Sequence, residues 1–352
     1  MRVLIATDSI AAMSSRQAGE VIAAGWLPTA AVSVLPIGEA GVGFVAAYAD
    51  LAEVPISPEV AEGFIVNTAN GPSASAIEVL GPSRGVGIPY QQSSRPIGEA
   101  IAMLVAKEMP DRILVDLAGL WVHDAGAGML AALGAVGDQP LDQGVEGLSG
   151  LAQFDLAPAR TLLGVTELVG VVPAAQLDQP LLGLRGITSL FGREASVEPQ
   201  LMLSTDATLQ TFAQLAAPSQ ADAPGAGACG GLGFAVLALG GRLTTGPAIA
   251  LASPKAKKGL QRVDLVVTGC SVYDFASRGG GVVAAVAEAA SVALSPCIII
   301  AGEVVIGARE MRTMGIEAAY AVRESVLDAP RGDVSMDELA ATARRVARSW
   351  IW

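Results

Sequence analysis

Apolar residues occur along the chain in short continuous runs, separated by longer stretches in which they return every three or four positions. The runs at 2–6 (RVLIA), 31–36 (AVSVLP), 111–118 (DRILVDLA), 160–166 (RTLLGVT), 262–269 (RVDLVVTG) and 295–302 (SPCIIIAG) are rich in β-branched and other apolar residues. A run with no polar alternation predicts a strand covered on both faces, as in a parallel sheet. The stretches at 14–25, 97–108, 124–133 and 281–294 are alanine-rich and helically spaced. Strands alternating with helices predict an α/β architecture. Such sheets hold ligands beyond the carboxyl ends of their strands, which directs attention to 7–9, 37–44, 118–124, 166–167 and 270–274. The Pro-, Ala- and Gly-rich segment 217–229 (APSQADAPGAGAC) predicts a loop or lid.

Composition narrows the function class. With 352 residues, 52% hydrophobic and 16% charged, the chain can bury two domain-sized cores and is not disordered. The longest apolar stretch, from Val282, is broken by Glu288, Pro296 and Glu303, so it predicts a buried helix followed by a buried strand rather than a membrane span. The apolar run near Met1 is too short for a secretory signal, and the expected location is cytoplasmic. Cys229, Cys270 and Cys297 are few and far apart, and His123 is the one histidine, so a structural zinc is not expected. A net charge of −12 argues against nucleic acid and anionic membranes as partners. Small-molecule chemistry remains, and the apolar, alanine-rich composition leaves room for a homodimer.

The glycine-rich PGAGACGGLGF segment at 224–234 matches neither the dinucleotide fingerprint nor the P-loop. Its glycines serve either an approach of backbone amides to an anion or tight packing ahead of a helix. Taken in order, ATDS at 6–9, LPIGEAGVGF at 35–44, HDAGAGMLAALGA at 123–135, QPLLGLRG at 179–186, PGAGACGGLGF and DLVVTG at 264–269 resemble the bacterial type-1 glycerate kinase family over nearly the whole chain. The resemblance implies a two-domain α/β fold. A flavodoxin-like domain would be built from both chain ends, residues 1–82 and 245–352, around an inserted α/β domain at 83–244. It also implies ATP-dependent phosphorylation of a small hydroxy acid such as glycerate, with Mg²⁺. On the matching positions, Asp8, Ser9, Asp124 and Asp274 are the expected catalytic set. Gly225, Gly227, Gly230, Gly231, Gly233, Arg185 and Arg278 are the expected nucleotide-side residues, and Asp8 and Glu39 the expected metal ligands.

The chain also departs from the family pattern. Ala11 stands where a lysine is expected, Val42 and Cys270 where glutamates are, Phe44 in place of a threonine, and Val272 in place of an arginine. Leu120, Trp121 and Val122 fill a loop that is small and polar in the family; Trp121 would either close a nucleotide site or offer a stacking surface. Phosphoryl transfer depends on positioning and on neutralising phosphate charge, and the four lysines, Lys107, Lys255, Lys257 and Lys258, lie outside the motifs. Two readings follow: a glycerate kinase whose activity is retained, reduced or lost, and a non-catalytic homologue that binds a metabolite or a protein. For Asp8 the plainer alternative is a turn or helix cap. Asp124 is expected to cap the helix that follows while facing the cleft, and His123 to pack or cap rather than catalyse. Cys270 lacks a nearby base for thiol chemistry.

Overall fold

The computed structural model describes residues 1–41, 43–61, 63–82, 84–275, 280–324 and 333–350. Its strands are β1 (Arg2–Thr7), β2 (Ala31–Pro36), β3 (Ser57–Ala61), β4 (Phe64–Asn70), β5 (Ser75–Leu80), β6 (Arg112–Asp116), β7 (Val136–Gly137), β8 (Phe154–Asp155), β9 (Glu167–Val171), β10 (Arg242–Thr244), β11 (Leu265–Asp274), β12 (Cys297–Val305) and β13 (Ala318–Ala321). The chain divides into two compact units, Met1–Val54 with Gly246–Trp352, and Pro55–Thr245.

The first unit carries a five-stranded sheet in the order β13-β12-β11-β1-β2, parallel throughout. Read from the other edge, that is the 2-1-3-4-5 order of flavodoxin-like folds, with the switch point between β1 and β11. The apolar runs alternate faces as period two requires. Val3, Ile5, Leu265, Val267, Ile298 and Ile300 pack beneath the helices Ser15–Ala23 and Met336–Ser349. Leu4, Ala6, Val266, Ile299 and Ala301 pack with Val282, Val283 and Val286 of the helix Gly280–Val292 on the opposite face. Capping boxes open two of these helices, Ser14 with Gln17 and Ser335 with Glu338.

The second unit holds a mixed six-stranded sheet, β10-β9-β6-β5-β4-β3, parallel from β10 to β5 and antiparallel through β4 and β3. Here the chain departs from two expectations. Residues 55–82, assigned above to the first domain, belong to the second sheet, because β5 pairs with β6 from Ser75↔Ile113 to Glu78↔Asp116. The run 160–166 is not a strand: Ala157–Leu163 is a helix with Pro158 in its first turn, and the strand β9 begins at Glu167. Ala159 and Leu163, one helical turn apart, are the residues buried there. No helix among the described residues is long and apolar enough to cross a membrane.

Candidate active site

The first unit presents its polar groups at the carboxyl ends of β1 and β11, on either side of the switch point. Asp8 follows β1 directly and its N–H donates to the Gly269 carbonyl at 3.0 Å, extending the pairing of the two strands. Its Oδ1 accepts from the Ser9 N–H at 2.7 Å and lies 3.4 Å from Ser9 Oγ. Burial outweighs these bonds and pushes the Asp8 carboxyl up to about 6. Asp274 ends β11, half-buried, and both its charge and that of Asp8 act on Cys270. Burial, reinforced by those two carboxylates, raises the Cys270 thiol to about 12, so at neutral pH it is a thiol and not a nucleophile.

The loops are fixed by residues that the sequence did not single out. The Ala11 N–H donates to Ser271 Oγ at 2.9 Å, holding Ala11 in a left-handed conformation (φ 52°). The buried Ser15 hydroxyl donates to the Thr7 carbonyl at 2.8 Å and accepts from the Ile37 N–H at 2.7 Å, tying the loop after β1 to the loop after β2. Glu39 sits in that second loop with both carboxylate oxygens buried. A Cβ on Gly38 would lie 2.3 Å from the Gly43 carbonyl oxygen, so the loop closes tightly on itself. Phe44, at the start of the helix Phe44–Ala52, is buried beside Tyr48, with ring centroids 6.3 Å apart. Glu303 is a further buried carboxylate near the end of β12, in register with Val272. It stands one residue past the 295–302 run and carried the same signal as Asp8. Val42 and Arg278 lie outside the described residues.

In the second unit Asp124 is fully buried. Its Oδ2 accepts from the Ser94 N–H at 2.9 Å, Ser94 Oγ at 2.8 Å and the Gly128 N–H at 3.2 Å, and its Oδ1 from the Gly126 N–H at 2.9 Å. Burial raises its pKa while those bonds oppose the shift. With its oxygens so occupied, Asp124 holds the loop and the start of the helix Ala127–Ala132. The expectation of a residue facing a cleft gives way to that capping role. His123 is likewise buried, its Nε2 2.9 Å from Thr188 Oγ1, and burial lowers its pKa to about 4, which keeps it neutral. Trp121 lies against Gly85, where a Cβ would come within 2.3 Å of two ring carbons. Leu120 covers Gly81 in the same way, at 2.6 Å.

The glycine-rich loop is closely packed. A Cβ would lie 2.0 Å from the Pro180 carbonyl oxygen at Gly227, 1.8 Å from that of Val122 at Gly230, and 2.1 Å from that of Gly225 at Gly233. At Gly225 it would meet the Leu177 carbonyl oxygen at 2.8 Å, and at Gly231 the Ala125 Cα at 2.7 Å. The Gly227 N–H donates to the Gln179 carbonyl at 2.9 Å, and the Cys229 N–H to Gln176 Oε1 at 2.8 Å. Packing thus accounts for all five glycines of the expected nucleotide set, and the two amides named are taken by the protein itself. Burial and the neighbouring Asp116 push the Cys229 thiol far up. Arg185 is exposed in the adjoining turn, its carbonyl accepting from Gln179 Nε2 at 2.7 Å, and its guanidinium makes no ion pair among the described residues.

The sequence model of the glycerate kinase family matches residues 3–351. The chain belongs to the glycerate kinase family. A glycerate kinase of Bacillus cereus is 27% identical over 378 residues, covering 99% of this chain and 98% of that protein. The glycerate 2-kinase of Escherichia coli is 29% identical over 271 residues, 74% of this chain and 70% of its own. A Salmonella typhimurium LT2 protein assigned as a glycerate kinase 2 has a crystal structure that superposes with a TM-score of 0.82 at 25% identity, covering 99% of this chain and 98% of that one. Within the family fold, the structure groups Asp8, Ser9 and Asp274 at one sheet edge, places Glu39 in the next loop of the same unit, and sets Asp124, Arg185 and the glycines in the other unit.

Proposed function

We propose that this protein is a kinase acting on a small hydroxy acid of the glycerate type, with ATP as phosphoryl donor. The observation that carries the reading is Asp8: a carboxylate at the switch point of a flavodoxin-like sheet, held by a single neighbouring residue and poised near pH 6. A carboxyl of that pKa, with Oδ2 not engaged by Ser9, suits proton acceptance from an attacking hydroxyl at neutral pH. Ser9 fixes the Asp8 carboxylate in place through its N–H, and Asp274 keeps the surroundings electronegative enough to orient hydroxyl groups.

Among the described residues no three or more His, Cys, Asp or Glu side chains gather as a metal site. That donor set fits Mg²⁺ all the same, since Mg²⁺ ordinarily takes one or two carboxylates and completes its shell with phosphate oxygens and water. Asp8 was expected both to bind metal and to act on substrate. A metal-bound carboxylate is a poor base, so the metal falls to Glu39, whose buried oxygens would hold it. Bound there, the ion would neutralise phosphate charge. In the second unit Arg185 is exposed and makes no ion pair among the described residues, so its guanidinium is free for an anion.

The second reading, a homologue without turnover, rests on the replacement of charged family positions by Ala11, Cys270 and Val272. It also draws on the closed packing around Gly230. Turnover of D-glycerate with Mg-ATP, followed by coupled ADP detection and compared with Asp8→Asn, separates the two. Activity abolished by Asp8→Asn supports the kinase; no ADP above background from folded protein supports the homologue.

A further inference from the structure

The second unit also holds a cleft of about 300 Å³ that none of the family motifs touches. It runs between the helix Pro199–Ala216, the short helix Gly144–Gly147 and Tyr90. Its lining hydroxyls are those of Tyr90, Ser149, Ser204, Thr205 and Thr208, and the last three donate to the backbone of their own helix. Ser204 Oγ donates to the Leu201 carbonyl at 2.9 Å, Thr205 Oγ1 to the same carbonyl at 2.8 Å, and Thr208 Oγ1 to the Ser204 carbonyl at 3.0 Å. Each of these three hydroxyls has committed its proton to the helix backbone, so what it offers the cleft is lone pairs. Glu146 adds an acceptor-only carboxylate, of which one oxygen accepts from Gln91 Nε2 at 3.1 Å. No lysine or arginine lines the space. The Tyr90 hydroxyl is buried beside Thr205. Burial raises its pKa, the hydrogen bond with Thr205 opposes that shift, and the nearby Glu146 charge adds a smaller rise.

A cleft in which one carboxylate and three helix hydroxyls offer lone pairs beside two apolar walls, Val145 and Leu201, is complementary to a ligand that brings N–H donors, a positive charge and a short alkyl part. We propose that this cleft binds a small primary alkylammonium ion. Its N–H groups donate to Glu146 and to the helix hydroxyls, and its carbon chain lies on Leu201 and Val145. The site is separate from the proposed kinase chemistry and does not depend on it.

The test uses the full chain labelled at threonine and valine methyl groups. Ethylammonium chloride is the probe, with tetramethylammonium and potassium chlorides at matched ionic strength as controls. Saturable shifts of the Thr205, Thr208 and Val145 methyl signals with ethylammonium are expected, with a dissociation constant on the order of millimolar. Glu146→Gln is expected to weaken binding about fivefold, the scale of an exposed charge contact, and Ser204→Ala to weaken it further. Both residues are exposed, and unchanged methyl signals elsewhere in the spectrum verify that the variants fold. Tetramethylammonium has the charge without N–H donors and is expected to give no saturation. Three results would each overturn the assignment: no saturation with ethylammonium, an equal response to either control cation, or a Glu146→Gln constant equal to that of the unmodified chain.

Discussion

Asp8 and Asp124 are the same residue type in similar sequence settings, each following an apolar segment and preceding a helix, yet their environments separate them. Among the described residues Asp8 accepts from Ser9, and burial pushes its carboxyl up to about 6. Asp124 is enclosed by Ser94, Gly126 and Gly128 donors on both of its oxygens. In the proposed kinase the first is the carboxylate that does chemistry; the second is held as part of the scaffold. The lesson is that a motif aspartate acquires its role from its unoccupied lone pairs, not from its motif.

The contrast breaks most sharply in kinetics. Asp8→Asn is expected to lower kcat by about 10²–10⁴, the span of general base catalysis, while its urea midpoint at neutral pH rises because a buried charge is removed. A variant with full turnover would remove Asp8 from the mechanism. Asp124→Ala should show the opposite pattern: a loss of on the order of 3 kcal/mol in urea unfolding, because several buried donors lose their acceptor.

Gly230→Ala tests whether the glycine-rich loop is a packing device. Its Cβ would collide with the Val122 carbonyl oxygen at 1.8 Å, whereas Gly183, also at positive φ, has open space around it. Thermal unfolding is expected to show a cost of about 3 kcal/mol at Gly230 and about 1 kcal/mol at Gly183, the backbone penalty alone. Equal costs would return the loop to the ligand-cradle reading.

Two titrations give the smallest effects, and their signs are opposed. The native Asp8 pKa, about 6, lies above its ordinary 3.8. The stability this group contributes is full below about 3.8 and is lost as pH rises through about 6, by at most about 1.4 kcal/mol per pH unit. Asp8→Asn should abolish that component of the unfolding free energy measured from pH 4 to 7. His123 has its native pKa at about 4, below the ordinary 6.5. Its contribution is full above 6.5 and is lost as pH falls through about 4, with the same limiting slope. His123→Gln should therefore flatten the acid side of the stability profile, and an unchanged profile would mean that His123 protonates freely in the native state.

Much of the fold was legible. The runs at 2–6, 31–36, 111–118, 262–269 and 295–302 are strands, since continuous apolar sequence has few alternatives to a sheet covered on both faces. The hairpin of β3 and β4 went unread because Pro58, Glu59 and Asn67 interrupt a short, largely exposed pattern that only pairing with β5 makes into sheet. The run 160–166 misled because LLGV suits a strand as well as the end of a helix, and Pro158 in the first helical turn decided between them. The strand-end rule directed attention to Asp8 and Asp274, which the structure places at the carboxyl ends of β1 and β11, but passed over the buried Glu303. Ser15 carried no signal, and Ser271 only its place in the 270–274 segment, because their importance lies in backbone partners distant in sequence.

By itself the sequence determined the family, the α/β class and the parallel strands β1, β2, β6, β11 and β12, because hydrophobic periodicity and motif order are local properties of the chain. The tertiary structure alone decided which carboxylates keep free lone pairs, which glycines meet backbone rather than ligand, and which sheet residues 55–82 join. Those outcomes depend on groups brought together from far along the chain, and on desolvation, which no single stretch of residues encodes.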